Sequence, residues 1–157
     1  MSQDTTARQD KSGDGWAGVR HGRPADGAVA ERSKAVTLAD IELFSAMTGD
    51  RNPLHTDRAA AEGSRFGGLI VQGGVTTGIL NAVVAEDLPG PGSVFLNVEW
   101  KFQKPVYVGD TITGTVRVVE ARPDKPICTI QTEVRNQHGD VCVTGKAVTY
   151  TAPLDPV

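Results

Sequence analysis

Charge of one sign is in short supply in this chain: sixteen Lys and Arg stand against nineteen Asp and Glu in 157 residues, a net charge of −3. The basic residues are scattered, so no stripe or cluster is available to grip nucleic acid or an anionic membrane surface. Cysteine is scarce too, with only Cys128 and Cys142, on segments read below as a hairpin. With the turn centred on His138-Gly139, Cys142 faces Arg135 and Cys128 faces Thr149, so the thiols are not paired. Free thiols fit a reducing cytoplasm. Neither cysteine has a second Cys or His at zinc-site spacing, which argues against a metal site. Ser64, Ser93 and the cysteines lack a base placed by motif, so nucleophilic catalysis has no support. The N-terminus lacks the charged-then-apolar pattern of a signal peptide. Long uninterrupted apolar runs are missing as well. Phe66 to Ala85 comes nearest, but Gln72, two glycine pairs, Thr76-Thr77 and Asn81 break it and no cationic flank follows, so a soluble protein is expected. Residues 1–30 hold few apolar side chains, Trp16 being the only large one, and are expected to be a disordered tail. Residues 31–157 form one domain by size.

What is present is concentrated in Gly49-Asp50-Arg51-Asn52-Pro53-Leu54-His55-Thr56-Asp57. Asp50 and His55 supply a carboxylate and an imidazole, the usual parts of a general acid–base pair. On an unbroken helix, positions five apart sit about 140° apart and cannot converge. Pro53 forbids such a helix, because it has no N–H and pushes Asn52 toward an extended conformation. The chain must leave a helix near Gly49 and turn, and a turn can aim both side chains at one point. The same residue types also build ordinary loops. Asp50 as a loop residue and His55 as a turn residue under Phe66 therefore stand beside the catalytic reading.

Thr37-Leu38-Ala39-Asp40 reads as a helix start with an acid three residues past the cap, and Gly49 ends that helix. A short helix over about 57–62 follows the Asp–His turn. From Gly74 to Glu86 the chain is apolar on nearly every face, the mark of a helix buried inside something. Pro89-Gly90-Pro91-Gly92 stops it. Four segments rich in Val, Ile and Thr then read as strands: Val94–Gln103, Thr111–Ala121, Ile127–Arg135 and Val141–Thr151. Their short connections make them antiparallel. Helices followed by a strand meander give an α+β fold, most economically a sheet wrapped around helix 74–86.

Over about residues 34–152 the chain resembles the MaoC-like family of hot-dog-fold enzymes, in particular the single-domain (R)-specific enoyl-CoA hydratases. The resemblance rests on Gly49-Asp50-x-Asn52-Pro53-Leu54-His55-x-Asp57, on Leu69-Ile70-Val71-Gln72-Gly73 and on Leu88-Pro89-Gly90-Pro91-Gly92-Ser93. It rests also on Phe102-Gln103-Lys104-Pro105-Val106-Tyr107-Val108-Gly109-Asp110 and Asp124-Lys125-Pro126. Two positions depart from the family pattern: Gln72 stands where His is common, and Asn81 where the hydratases carry a small Ser. The resemblance implies an α+β hot-dog fold, an antiparallel sheet wrapped around a buried central helix. It also implies a homodimer whose two sheets join edge to edge.

Reversible syn hydration of trans-2-enoyl thioesters to (R)-3-hydroxyacyl thioesters is the activity the resemblance implies. Asp50 and His55 would hold a water and shuttle its proton. Asn52 either orients one of them or forms an Asx turn ahead of Pro53. Gly73, where the central helix begins, offers a free backbone N–H for the thioester oxyanion. Gln72, Gly74 and Asn81 are candidate substrate-binding residues, and Lys101 and Lys104 could meet the phosphates of coenzyme A or a phosphopantetheine arm. No metal or redox cofactor is expected; coenzyme A or phosphopantetheine enters as part of the substrate. The partners expected are the acyl thioester and a second copy of the chain, with an acyl carrier protein as a further candidate and neither nucleic acid nor membrane. Three rivals stand beside this reading. They are dehydration of carrier-bound 3-hydroxyacyl chains in polyketide or fatty-acid synthesis, thioester hydrolysis, and a non-catalytic acyl-thioester-binding subunit.

Overall fold

The computed structural model describes residues 14–156. Strand β1 (Val29–Ala35) is followed by helices α1 (Leu38–Thr48), α2 (Pro53–Thr56), α3 (Arg58–Gly63) and α4 (Gly73–Ala82), the last running into a π-helical turn at Val83–Asp87. Strands β2 (Ser93–Phe102), β3 (Thr111–Ala121), β4 (Ile127–Arg135) and β5 (Val141–Thr151) complete the domain. Among the described residues no helix is long and apolar enough to cross a membrane.

Helix α1 starts and stops where its residue types demand. The backbone N–H of Thr37 donates to the Asp40 carboxylate at 2.8 Å, and Gly49 takes a left-handed conformation with φ of 81° to close the last turn. Pro53 does not leave an irregular turn. It opens the one-turn helix α2, a position where its missing N–H costs nothing. Helix α3 is capped by Asp57, whose carboxylate accepts the Ala60 N–H at 3.1 Å.

The strands form one antiparallel sheet in the order β1-β3-β4-β5-β2. Only β3, β4 and β5 are a true meander. Strand β2 lies at the far edge, paired with β5 alone, so the link after Phe102 carries the chain across the sheet to β3. The short connections did imply antiparallel strands, but adjacency in sequence is not adjacency in space for β2 and β3. On the way the link pairs with the segment before α4: Val71 N–H donates to the Val106 carbonyl at 2.8 Å, and Val108 N–H to Leu69 at 3.2 Å.

Helix α4 and its π turn fill the concave side of the sheet. Leu80, Val83 and Val84 pack among Val116, Val118, Ile130, Val134 and Val143, all buried. The helix comes close because Gly114 has no side chain; a Cβ there would stand 2.6 Å from Ile79 Cγ2. This is the hot-dog arrangement, a sheet curled around one apolar helix.

Three expectations are corrected. Residues 1–13 lie outside the described part, but 14–30 are packed onto the domain rather than forming a tail. Trp16 is only 2% exposed, its indole N–H donates to the Arg122 carbonyl at 2.6 Å, and Arg23 donates to the Ala121 carbonyl at 2.8 Å. Gly27 N–H reaches Val118 at 2.7 Å, leading into β1. One large side chain and a series of backbone partners hold the segment, which average composition does not reveal. Strand β1 was missed because it is an edge strand with polar, largely exposed side chains. Finally, Cys128 does face Thr149, but Arg135 faces Val141 rather than Cys142, because the register shifts at Val134/Arg135.

The buried indole makes a test. Trp16→Ala should destabilise the domain by about 3–5 kcal/mol, the usual cost of emptying an aromatic site, and a chain starting at residue 31 should lose at least as much. Urea unfolding measures both; unchanged midpoints would return residues 14–30 to the status of a loose tail.

Candidate active site

Of the pair singled out in the sequence, His55 lines a cleft, and Asp50 stands 4.0 Å from the imidazole. The walls of the cleft come from α2, from the segment leading into α4 and from the β2–β3 link. His55 stands on α2, one turn after Asn52, whose Oδ1 accepts the Leu54 N–H at 3.1 Å and so caps that helix. The imidazole is buried, with 9% exposure. Its Nδ1 lies 2.7 Å from the Ile70 carbonyl. A carbonyl can only accept, so Nδ1 carries a hydrogen, and in the neutral form of the ring the lone pair is on Nε2. That nitrogen faces Asp50 Oδ2 at 4.0 Å. The separation is too long for a direct hydrogen bond and suits one bridging water.

Asp50 is held from its own loop. Its Oδ1 accepts the Asn52 N–H at 3.1 Å, and its N–H donates to Thr48 Oγ1 at 3.1 Å. Of the two roles considered for Asn52, the side chain makes the Asx-type cap, while its main chain meets the carboxylate.

The cleft, about 430 Å³, is lined by His55, Gly73, Thr76, Phe66, Phe102 and Lys104 among others. Gly73 is the first residue of α4. Val75 and Thr76 donate to the Gln72 carbonyl at 2.9 and 3.3 Å, which leaves the Gly73 N–H ahead of the first helical hydrogen bonds, where partial positive charge gathers. Phe102 closes over it: a Cβ on Gly73 would sit 2.9 Å from the phenyl ring. Lys104 lines the cleft with its ammonium 3.2 Å from Asp140. Their hydrogen bond holds the Asp140 carboxyl below the usual carboxylate range.

The other candidates lie elsewhere. Gln72 turns away from the cleft into the seam between α1 and α4. Gly74 and Asn81 line a separate groove of about 780 Å³ between α1, β1 and α4, together with Leu43, Phe44 and Met47. Lys101 projects from β2 beside Glu99 and Gln131, outside the cleft. The thiol of Cys128 is pushed up to about 12 by burial, so it is no nucleophile at neutral pH. Sequence reasoning missed Arg65, whose guanidinium stands 5.8 Å from the Phe66 ring centroid at the cleft, and Thr76. Thr76 had a signal, since it lies three residues after Gly73 and so on the same helical face. The Ile70 carbonyl had none, because a backbone acceptor leaves no trace in residue type.

Residues 20–141 match the model of the MaoC like domain. The chain belongs to the MaoC-like family. This MaoC-like protein is 39% identical over 122 residues to an (R)-specific enoyl-CoA hydratase of Aeromonas caviae, covering 78% of this chain and 91% of the relative. An (R)-specific enoyl-CoA hydratase of Rhodospirillum rubrum is 35% identical over 122 residues, covering 78% and 84%. Among solved structures, the (R)-hydratase from A. caviae involved in PHA biosynthesis superposes with a TM-score of 0.79 at 37% identity, over 82% of this chain and 98% of that one.

The cap on α2 sets the pose of His55 and can be weighed directly. Asn52→Ala should cost about 1 kcal/mol of stability, whereas Asn52→Asp, which keeps a capping oxygen, should stay near wild type. Guanidinium titrations of the three proteins decide it, and an alanine variant as stable as wild type would show that the cap does not hold α2.

Proposed function

We propose that this MaoC-like protein catalyses the reversible syn addition of water to trans-2-enoyl thioesters, giving (R)-3-hydroxyacyl thioesters. The observation that carries the reading is the aim of His55: one ring nitrogen is tied to the Ile70 carbonyl, and the other is directed at Asp50 4.0 Å away, close enough for one water to bond both from the side. The chain is a hydro-lyase, and a hydro-lyase needs a held water, a proton carrier and a place for negative charge.

In the forward direction the water sits between Nε2 and the Asp50 carboxylate. As its oxygen bonds to the β-carbon, one O–H bond breaks and the proton passes to the Asp50–His55 pair. The double-bond electrons move to the thioester, whose oxygen gathers charge at the Gly73 N–H. The pair then returns the proton to the α-carbon from the side on which water entered, which makes the addition syn. No electrons are gained or lost overall, so the proposal contains no redox cofactor, and no metal is assigned a step. Run backward on a carrier-bound 3-hydroxyacyl chain, the same geometry is the dehydration considered above. The two buried thiols suit a cytoplasmic site of action.

The reading includes a homodimer. Strand β2 is a ten-residue sheet edge, and Val94, Leu96, Val98 and Phe102 along it are exposed. An edge so long and apolar calls for a partner, and a second copy joined through β2 supplies one.

Two measurements test these statements. Loss of enoyl absorbance across a panel of coenzyme A and carrier-protein thioesters should occur with wild type. Asp50→Asn and His55→Gln should each lower the rate about 10²–10⁴-fold, with the double variant little worse, because the two act as a unit. Near-normal turnover in either folded single variant rejects the pair. Light scattering should give about twice the 16.6 kDa chain mass, and a monomer that still hydrates the panel rejects the joined sheet.

A further inference from the structure

We infer that Gln72 is a positioning residue for the acid–base pair, acting through helix α1 rather than on the substrate. The inference rests on the proposed reaction for its kinetic consequence and on the geometry alone for its mechanical part. Gln72 is 1% exposed. Its Nε2 donates to Ser45 Oγ at 3.0 Å and to the Ile41 carbonyl at 3.3 Å. Ile41 and Ser45 are the two buried residues of α1. Leu43 and Met47 on the same helix are 70% and 74% exposed, so apart from Phe44, whose ring rests on Gly74, α1 is held to α4 through Ile41, Ser45 and the Gln72 carboxamide.

Ser45 is also the residue whose carbonyl accepts the Gly49 N–H at 2.8 Å, closing the helix one step before Asp50. The Gln72 carboxamide thus ties down the helix end from which Asp50 projects. On its own chain Gln72 lies two residues after Ile70, the carbonyl that orients His55, and immediately before Gly73. A single side chain therefore joins the element that presents the acid to the segment that holds both the imidazole and the oxyanion donor.

The other half of the carboxamide argues against a purely structural role. Among the described residues, Gln72 Oε1 is buried and finds no hydrogen-bond partner. Leaving a buried acceptor unpaired is unfavourable, and an apolar side chain of the same length would avoid the penalty. The unpaired oxygen offsets part of what the two Nε2 hydrogen bonds contribute to stability. Ser45 would lose little by the change, since a hydroxyl on a helix can turn to the carbonyl four residues back.

Gln72→Met is the main test and Ser45→Ala the second. Melting temperature should be unchanged or higher in Gln72→Met. Native-state hydrogen exchange should quicken at the amides of Gly49 and Asn52, which bond to Ser45 and Asp50. With a short trans-2-enoyl-CoA as probe, kcat should fall about tenfold or more while KM changes less than about twofold, the pattern of lost geometry rather than lost binding. Ser45→Ala should show the same pattern, and the double variant should be no slower than the worse single one. Unchanged exchange at Gly49 and Asn52, or kcat retained in Gln72→Met, overturns the inference. If Gln72→Met also melts lower or fails to fold, Ser45→Ala decides: a lowered kcat at wild-type melting temperature supports it, and any other result rejects it. Failure of the wild-type chain to hydrate any thioester would reject the proposed reaction instead, and the exchange measurement would still judge the mechanical link.

Discussion

The contact between His55 Nδ1 and the Ile70 carbonyl is the constraint on which the site turns. It fixes the tautomer, aims the second nitrogen outward, and binds a one-turn helix too short to hold its own shape. It can form only because Ile70 lies in a segment already secured at other points. Ile70 N–H donates to the Leu54 carbonyl at 3.3 Å, and Val71 N–H to Val106 at 2.8 Å. The carbonyl that receives the imidazole is thereby as rigid as a strand, although the segment is only an isolated bridge to Tyr107.

Around this constraint the fold divides its labour. The sheet and α4 supply an apolar interior in which the helix rests directly on β3 at Gly114. The short helices α2 and α3 and the loop between α1 and α2 carry the polar chemistry on that base. Phe102 ends β2 and Lys104 lies in the link that crosses the sheet, so the cleft has one wall from each half of the chain. Lys104 is already paired with Asp140, which steadies it and tempers its charge.

Much of this was legible in the sequence because it is local. Thr37, Asp40 and Gly49 bound α1 through short-range caps, and Pro53 enforces the break that lets Asp50 and His55 converge. The apolar run after Gly74 and the Val- and Thr-rich segments carry the periods of buried helix and strand. What stayed hidden is long-range or silent in residue type. Trp16 finds its site on Arg122, β1 is an edge strand without a clean alternation, and the Ile70 carbonyl is a backbone group. The side chain of Gln72 looked like a cleft residue from its place next to Gly73. A helix entry, however, sends neighbouring side chains in different directions, and its own points at α1.

Strand β2 is hydrogen-bonded within the chain to β5 alone, the last strand in the sequence. A chain emerging from the ribosome therefore carries Asp50 and His55 well before residues 141–151, and the Ile70 segment that aims His55 gains its Val106 partner only after β2 has been made. Phe102, the last residue of β2, and Lys104, two residues beyond it, take up their stations only once residues 141–151 have arrived to dock that strand. Biosynthesis thus makes the proposed acid–base residues early and the strand that completes their cleft last, so a nascent or C-terminally clipped chain holds both residues without the enclosure beside them.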